Sequence, residues 1–158
     1  MQARGGRVTA RCVTPLALAL WELPQNVLGA GLLAAHRALR GAKSETRERQ
    51  RLFIESKWVA VSLGYFVFWM EPKASRHFFL DEATRDHEFG HTLQSRMLGP
   101  LYLALIGVPS VSRVAYAIAY RELTGKRWRH YFDGWPEKQA DRYGSVDRTR
   151  IRRSWPKD

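Results

Sequence analysis

Asp86-His87-Glu88-Phe89-Gly90-His91-Thr92 is the stretch around which the chain is organised. Two histidines four residues apart share one face of a helix, with Cβ atoms about 5–6 Å apart. That spacing lets both imidazoles reach one metal ion. Glu88 is turned one residue further round, so its carboxylate falls beside the ion, where it can take a proton from water. His-Glu-x-x-His on a helix therefore reads as two zinc ligands with a base between them. Gly90 leaves the helix surface bare beside the ligands, so another element can approach closely. Phe89, Leu93 and Met97 lie on a different stripe and are expected to anchor the helix in the core. Asp81 or Thr84 can cap this helix, and Gly99-Pro100 stops it after about Leu98. The competing reading is chance coincidence on an ordinary helix, a real risk for a five-residue match.

A second match lies downstream. Pro136-Glu137-Lys138-Gln139-Ala140-Asp141 contains Glu-x-x-Ala-Asp, again with two polar groups four apart on one face of a short helix. A catalytic zinc needs three protein ligands and an open position. One of these carboxylates can be the third ligand. The other can accept the free N–H of a ligating histidine and fix its tautomer.

With both motifs the chain resembles the gluzincin zinc metallopeptidases, closest to the CAAX-prenyl-protease/HtpX type and to the small minigluzincins. The resemblance covers about Trp58 to Gly144 and rests on the two motifs. It implies an α+β fold: a mostly helical core, a small antiparallel β-meander, and an N-terminal apolar helix or hairpin. It also implies one catalytic zinc ion held by His87, His91 and Glu137, with Glu88 as general base and Asp141 behind a zinc histidine. The activity implied is peptide-bond hydrolysis by Glu-assisted attack of zinc-bound water. The edge strand of such a sheet holds peptide in extended form; Phe78 to Leu80 or Trp58 to Leu63 would serve here. The chain departs from the membrane proteases in being shorter and in lacking their several clear spans. It also carries 45 residues between His91 and Glu137, partly apolar, that the motifs do not explain.

Composition bounds the rest. At 158 residues the chain is one domain's worth. A hydrophobic fraction of 45% and an aromatic fraction of 12% exclude a disordered protein. The single cysteine, Cys12, excludes an internal disulfide framework and a cysteine-based zinc site. Against 15 Asp+Glu stand 26 Lys+Arg, a net charge of +11. Such an excess favours an anionic partner, either a membrane surface or nucleic acid. No recognisable nucleic-acid fold accompanies the charge, so lipid is preferred. Lys126, Arg127, Arg129, Arg148, Arg150, Arg152 and Arg153 would form the patch.

The N-terminal third has two readings, an interrupted membrane segment, which is preferred, or two short helices packed on a soluble core. Arg4, Arg7 and Arg11 precede an apolar run from Val13 to Trp21. Glu22, Pro24, Gln25 and Asn26 interrupt it, and a second run follows from Val27 to Ala35. No small-x-small cleavage site marks a signal peptide. Val13 to Ala35 is 23 residues, long enough to cross a bilayer. With basic flanks on both sides it fits a hairpin in one leaflet as well as a span. The expected location is a bacterial inner membrane with basic segments cytoplasmic; soluble cytoplasmic protein is the alternative. Residues 1–45 are thus read as the apolar segment, 46–146 as the zincin-like catalytic domain, and 147–158 as a disordered basic tail.

Between these, Val27 to Arg40 reads as a helix with Asn26 as N-cap, and Lys43 to Arg51 as a solvated polar connection. Leu52 to Met70 is β-branched and aromatic, and reads as strands buried on both faces with a hairpin or bulge near Ser62-Leu63-Gly64. His77 to Leu80 could add a short strand. Leu101 to Val108 is apolar, Pro109 is expected to break it, and Val111 to Leu123 to resume as a helix. Arg113 argues against a clean membrane span there and favours an interfacial or core helix. His130, Tyr131 and Tyr143 are candidates for oxyanion or substrate contacts by nearness to Glu137; the blander reading is surface packing. Gln94 and Arg96 could line the cleft or face solvent. His36 and His77 read as metal-free. Two rivals to the peptidase remain: a catalytically inactive, zinc-stabilised anchoring module, and a basic nucleic-acid-binding domain.

Overall fold

The computed structural model describes residues 15–72, 77–78 and 80–155. Val13, Cys12 and the first three arginines lie outside the described residues. The fold is α+β, as expected: a four-stranded sheet between helices.

Two helices open the described chain, α1 (Pro15–Trp21) and α2 (Leu23–Ala38). Asn26, expected as an N-cap, sits inside α2 instead. Its Oδ1 accepts from the Tyr65 N–H at 2.7 Å. The sheet comprises β1 (Ala42–Glu48), β2 (Arg51–Ser56), β3 (Val61–Leu63) and β4 (Phe66–Trp69) in the order β1-β2-β4-β3. The class is right, but the sheet is mixed rather than a simple antiparallel meander, because β2 and β4 run parallel. Burial explains the order. Phe53, Ile54, Val67 and Phe68 on β2 and β4 are all at most 2% exposed. The two most apolar strands take the centre, leaving polar β1 and three-residue β3 as edges, where unpaired backbone does least harm.

Lys43 to Arg51 holds a strand rather than a loose connection. Nothing in Ala-Lys-Ser-Glu-Thr-Arg-Glu alternates, and five of its seven residues are exposed. Pairing with β2 makes it a strand, through a two-residue turn at Arg49 and Gln50. Both have positive φ, 48° and 60°, as a type I′ hairpin turn demands.

Adjacent strand residues point to opposite faces. Ile54 and Phe68 pack with Leu33 of α2 on one face. Phe53 stacks on Phe89 of α3 (Thr84–Leu98) on the other. His36 lies buried in the α2 layer, bonded to the Leu32 carbonyl and to Ser56 Oγ, each at 2.9 Å. α3 stops at Gly99 as expected, but its N-cap is Ala83 without a side-chain cap bond rather than Asp81 or Thr84, and Met97 is exposed rather than an anchor. Its turn faces outward beside the equally exposed Leu101.

After α3 the chain forms one apolar helix, Leu103–Thr124, of 22 residues. Pro109 does not break it. A π-helical turn at Leu103–Gly107 shifts the hydrogen-bond pairing, so Pro109 enters in the first turn of α4 (Val108–Thr124), where its missing N–H costs little. Gly125, at φ 73°, caps it in the left-handed region. The helix is long and apolar enough to cross a membrane, and only 11% of its most apolar window is buried, so it is no core helix. Arg113, half-buried, is engaged by the chain that follows the helix. It donates to the His130 and Tyr131 carbonyls and lies over the Trp128 ring.

A short 3-10 turn, Tyr131–Asp133, leads to α5 (Glu137–Tyr143). Residues 148–154, expected to be disordered, carry α6 (Arg148–Ile151) and a following 3-10 turn. Asp147 caps α6 by accepting from the Thr149 and Arg150 N–H groups. His77 and Phe78 form a bend rather than a strand.

Candidate metal centre

The site is built where α5 docks on α3. Gly90 of α3 and Gly144 after α5 permit it: a Cβ on Gly90 would collide with the Ala140 carbonyl oxygen, and one on Gly144 with that of Asp86. This close approach carries Glu137 over the His87/His91 face. His87, His91 and Glu137 are all buried, with one ligand atom from each within 4.8 Å of the others. His87 Nε2 lies 3.0 Å and His91 Nε2 3.2 Å from Glu137 Oε2. Ligand atoms on a tetrahedral zinc ion stand about 3.3 Å apart, so the donor set fits such an ion.

The outer partners decide the tautomers. His87 Nδ1–H donates to Asp141 Oδ1 at 2.7 Å. His91 Nδ1 faces Gln94 Oε1 at 2.7 Å. The Gln94 amide nitrogen donates to the Pro136 carbonyl and to Gln139 Oε1, which fixes its oxygen toward His91. With Nδ1 so engaged on both rings, each Nε2 is turned toward Glu137 Oε2. The other carboxylate oxygen, Glu137 Oε1, is buried without a hydrogen-bond partner. Converging acceptors with nothing between them need a positive charge. The group can hold a metal ion.

Without metal a proton serves. Burial opposes a charge on His87, but hydrogen bonds to Asp141 and Glu137 and the field of Glu88 raise its pKa to about 9. Burial pushes Glu137 up, yet the two histidines override it and hold it well below the usual carboxylate range. Asp141 shows the same balance. Burial raises it, and hydrogen bonds from His87 and Arg148 bring it below its ordinary value.

Glu88 is buried beside these groups, and desolvation raises its pKa against the opposing charge of His91 and His87. Ser62 on edge strand β3 holds it. The hydroxyl lies 2.5 Å from the Glu88 carbonyl oxygen and 3.0 Å from Glu88 Oε2, and donates to one of them at a time. A cavity of about 360 Å³ opens onto His87 and Glu88, walled mainly by apolar and aromatic side chains.

Of the smaller candidates, Tyr131 lines this cavity. Burial and the negative charges of Glu137 and Glu88 push its phenol far above the ordinary value, so it stays protonated; its hydroxyl bonds Ser110. His130 is turned to solvent and pairs with Asp133 at 2.7 Å. Tyr143 meets the Gln139 amide at 3.3 Å, away from the cavity lining. His77 lines the cavity and pairs with Glu122.

Ser62 was not assigned from the sequence, Arg148 was placed in a lipid patch, and Gln94 was read as lining the cleft or facing solvent. Gln94 carried a signal, a polar amide three residues after His91 and so on a neighbouring surface of the helix. Ser62 carried a weaker one, a lone hydroxyl inside an apolar strand. Arg148 carried none, being one arginine among many. It belongs to no lipid patch: buried, it clamps Asp141 through Nε and Nη2, each at 2.9 Å, and Asp81 through Nη1 at 2.7 Å. Its guanidinium lies 3.6 Å from the Phe132 ring centroid.

Comparison with family models, with curated proteins and with solved structures gives no match to this chain.

Proposed function

We propose that this chain is a gluzincin-like, zinc-dependent metallopeptidase that works at a membrane surface. The observation that carries the reading is the convergence of two histidine Nε2 atoms on the Glu137 carboxylate, whose other oxygen is buried without a partner, with a second buried carboxylate beside them at the end of a cavity. Two imidazoles and a carboxylate suit zinc. Zinc bound there supplies Lewis acidity, polarising a carbonyl and acidifying water. His87, His91 and Glu137 hold it; Asp141 and Gln94 keep the rings oriented. Glu88 takes the proton of the attacking water and delivers it to the leaving amine, with Ser62 keeping its carboxylate aimed. A raised pKa suits that alternation between base and acid.

The membrane part rests on the exposed helix Leu103–Thr124 and on apolar side chains left uncovered on α1 and α2, among them Leu16, Leu20, Val27 and Leu28. The two regions adjoin: Trp21 packs on Gly99 and donates to the Arg96 carbonyl. Arg121, Lys126, Arg127 and Arg129 at the far end of the long helix suit anionic headgroups.

The test is metal analysis and peptide cleavage on three proteins. Wild type should carry one zinc and cut. Glu137→Ala should lose the metal. Glu88→Gln should keep zinc and lose cleavage. Full activity in Glu88→Gln sinks the mechanism, while zinc without any cleavage in wild type favours an anchoring module. Flotation with vesicles containing anionic phospholipid reads the membrane part.

A further inference from the structure

We infer that the cavity beside Glu88 receives one bulky apolar side chain, aromatic or long aliphatic, of the peptide substrate; this rests on the peptidase reading above. Its volume of about 360 Å³ falls within the range of sites that enclose a small organic group. Trp58 and Ala60 from the β2–β3 connection form its walls, with Met70, Phe78, Val114 of α4 and Phe132. His87 and Glu88 close one end, so a group seated there lies against the proposed base.

The charges around it argue for the same occupant. Arg148 reaches the lining, but Asp141 and Asp81 engage three of its nitrogens. His77 is paired with Glu122. Among the described residues, an acidic side chain would thus lose its water and meet no uncommitted cation. Among the described lining residues, Glu88 is the carboxylate a lysine would pair with, and it is the group that the reaction needs free. Glycine or alanine would leave most of the space unfilled, whereas leucine or phenylalanine would gain from burial against the aromatic wall.

The experiment uses the full chain, zinc-loaded in detergent micelles, and quenched fluorescent peptides that differ at one position flanking the scissile bond, each flank in turn. That position carries Gly, Ala, Leu, Phe, Lys or Asp. At one flank, Leu and Phe should exceed Gly, Lys and Asp by about tenfold or more in kcat/KM. Ala60→Phe, which narrows the cavity, should lower kcat/KM for the Leu and Phe peptides to about that of the Ala peptide. Val114→Phe, on α4, should do the same and serves if the first variant does not fold. Equal rates across the set, a preference for a charged residue, or a preference unchanged in a folded variant overturns the inference and leaves the peptidase reading standing. Failure of wild type to cut any peptide overturns both.

Discussion

Each metal-facing histidine owes its proton position to a residue that is not a ligand. Asp141 does this for His87, and Gln94 does it for His91. A glutamine is a neutral partner, so it orients the ring without adding charge, and its own amide is pinned by Pro136 and Gln139. Gln94→Ala should therefore weaken zinc binding by about 10–100-fold, the usual effect of losing such a partner. Competition against a chromophoric chelator reads this directly, and unchanged affinity would contradict the role. Arg148→Ala should act in the same direction, one layer further out, by loosening Asp141. The pairs His87/His91 and Glu137/Asp141 were legible because each lies within one helical turn, where spacing alone sets the face. Ser62 and Arg148 were not, because only the folded chain brings a strand and a C-terminal helix to the same place.

A pH effect belongs to His87. Its pKa rises from 6.5 to about 9 in the folded, metal-free chain. A raised pKa means the folded state holds a proton that the unfolded chain releases. That stabilisation is fully present below about pH 6.5 and is lost as pH climbs through about 9, a change of up to about 3 kcal/mol. A metal ion takes the proton's place, so zinc-loaded protein should hold its stability over the same window. Denaturant unfolding of chelator-treated and zinc-loaded protein at both ends of the window checks this; parallel losses would refute it.

At the scale of elements, the contact between α3 and α5 matters most. Gly90 faces the Ala140 carbonyl, and backbone cannot swing aside as a side chain can. Gly90→Ala should push α5 off α3, costing about 1–3 kcal/mol as overpacking does, and should lower zinc affinity because Glu137 rides on α5. Unfolding midpoint and metal content should fall together. A variant with normal zinc content would show that α5 tolerates the shift. The bare glycine surface was readable from the motif itself. β1 was not readable, because an exposed polar edge strand has no alternation and exists through its pairing with β2. Pro109 misled for a related reason: a single π-helical turn, set by local packing, moved it from a helix break to a first turn. The strand order also lay beyond the pattern, which gives the apolar strands but not which of them sit side by side.

Over the whole molecule, one buried ion pair joins the apolar N-terminal helices to the layers that carry the candidate metal site. Glu22, at the junction of α1 and α2, and Arg51, at the start of β2, are each 1% exposed and meet through two bonds of 2.7 and 3.1 Å. Ser95 of α3 donates to Glu22 at 2.6 Å, and Arg51 donates to the Thr92 carbonyl at 3.3 Å. The pair thus fastens α3, one turn beyond His91, to the segment proposed to meet the membrane. In the sequence Glu22 looked like an interruption of an apolar run; its partner 29 residues away explains why it is tolerated. Removing one partner strands the other charge in the interior. Glu22→Ala should cost about 3–5 kcal/mol. Replacing both, with Glu22→Met and Arg51→Met together, removes the orphaned charge and should recover much of that loss, because two apolar side chains need no counter-ion. Urea unfolding of the single and double variants in micelles, with zinc present, measures the coupling. A double variant as unstable as Glu22→Ala would mean that the surrounding bonds to Ser95 and Thr92, rather than the ion pair, hold the N-terminal helices to α3.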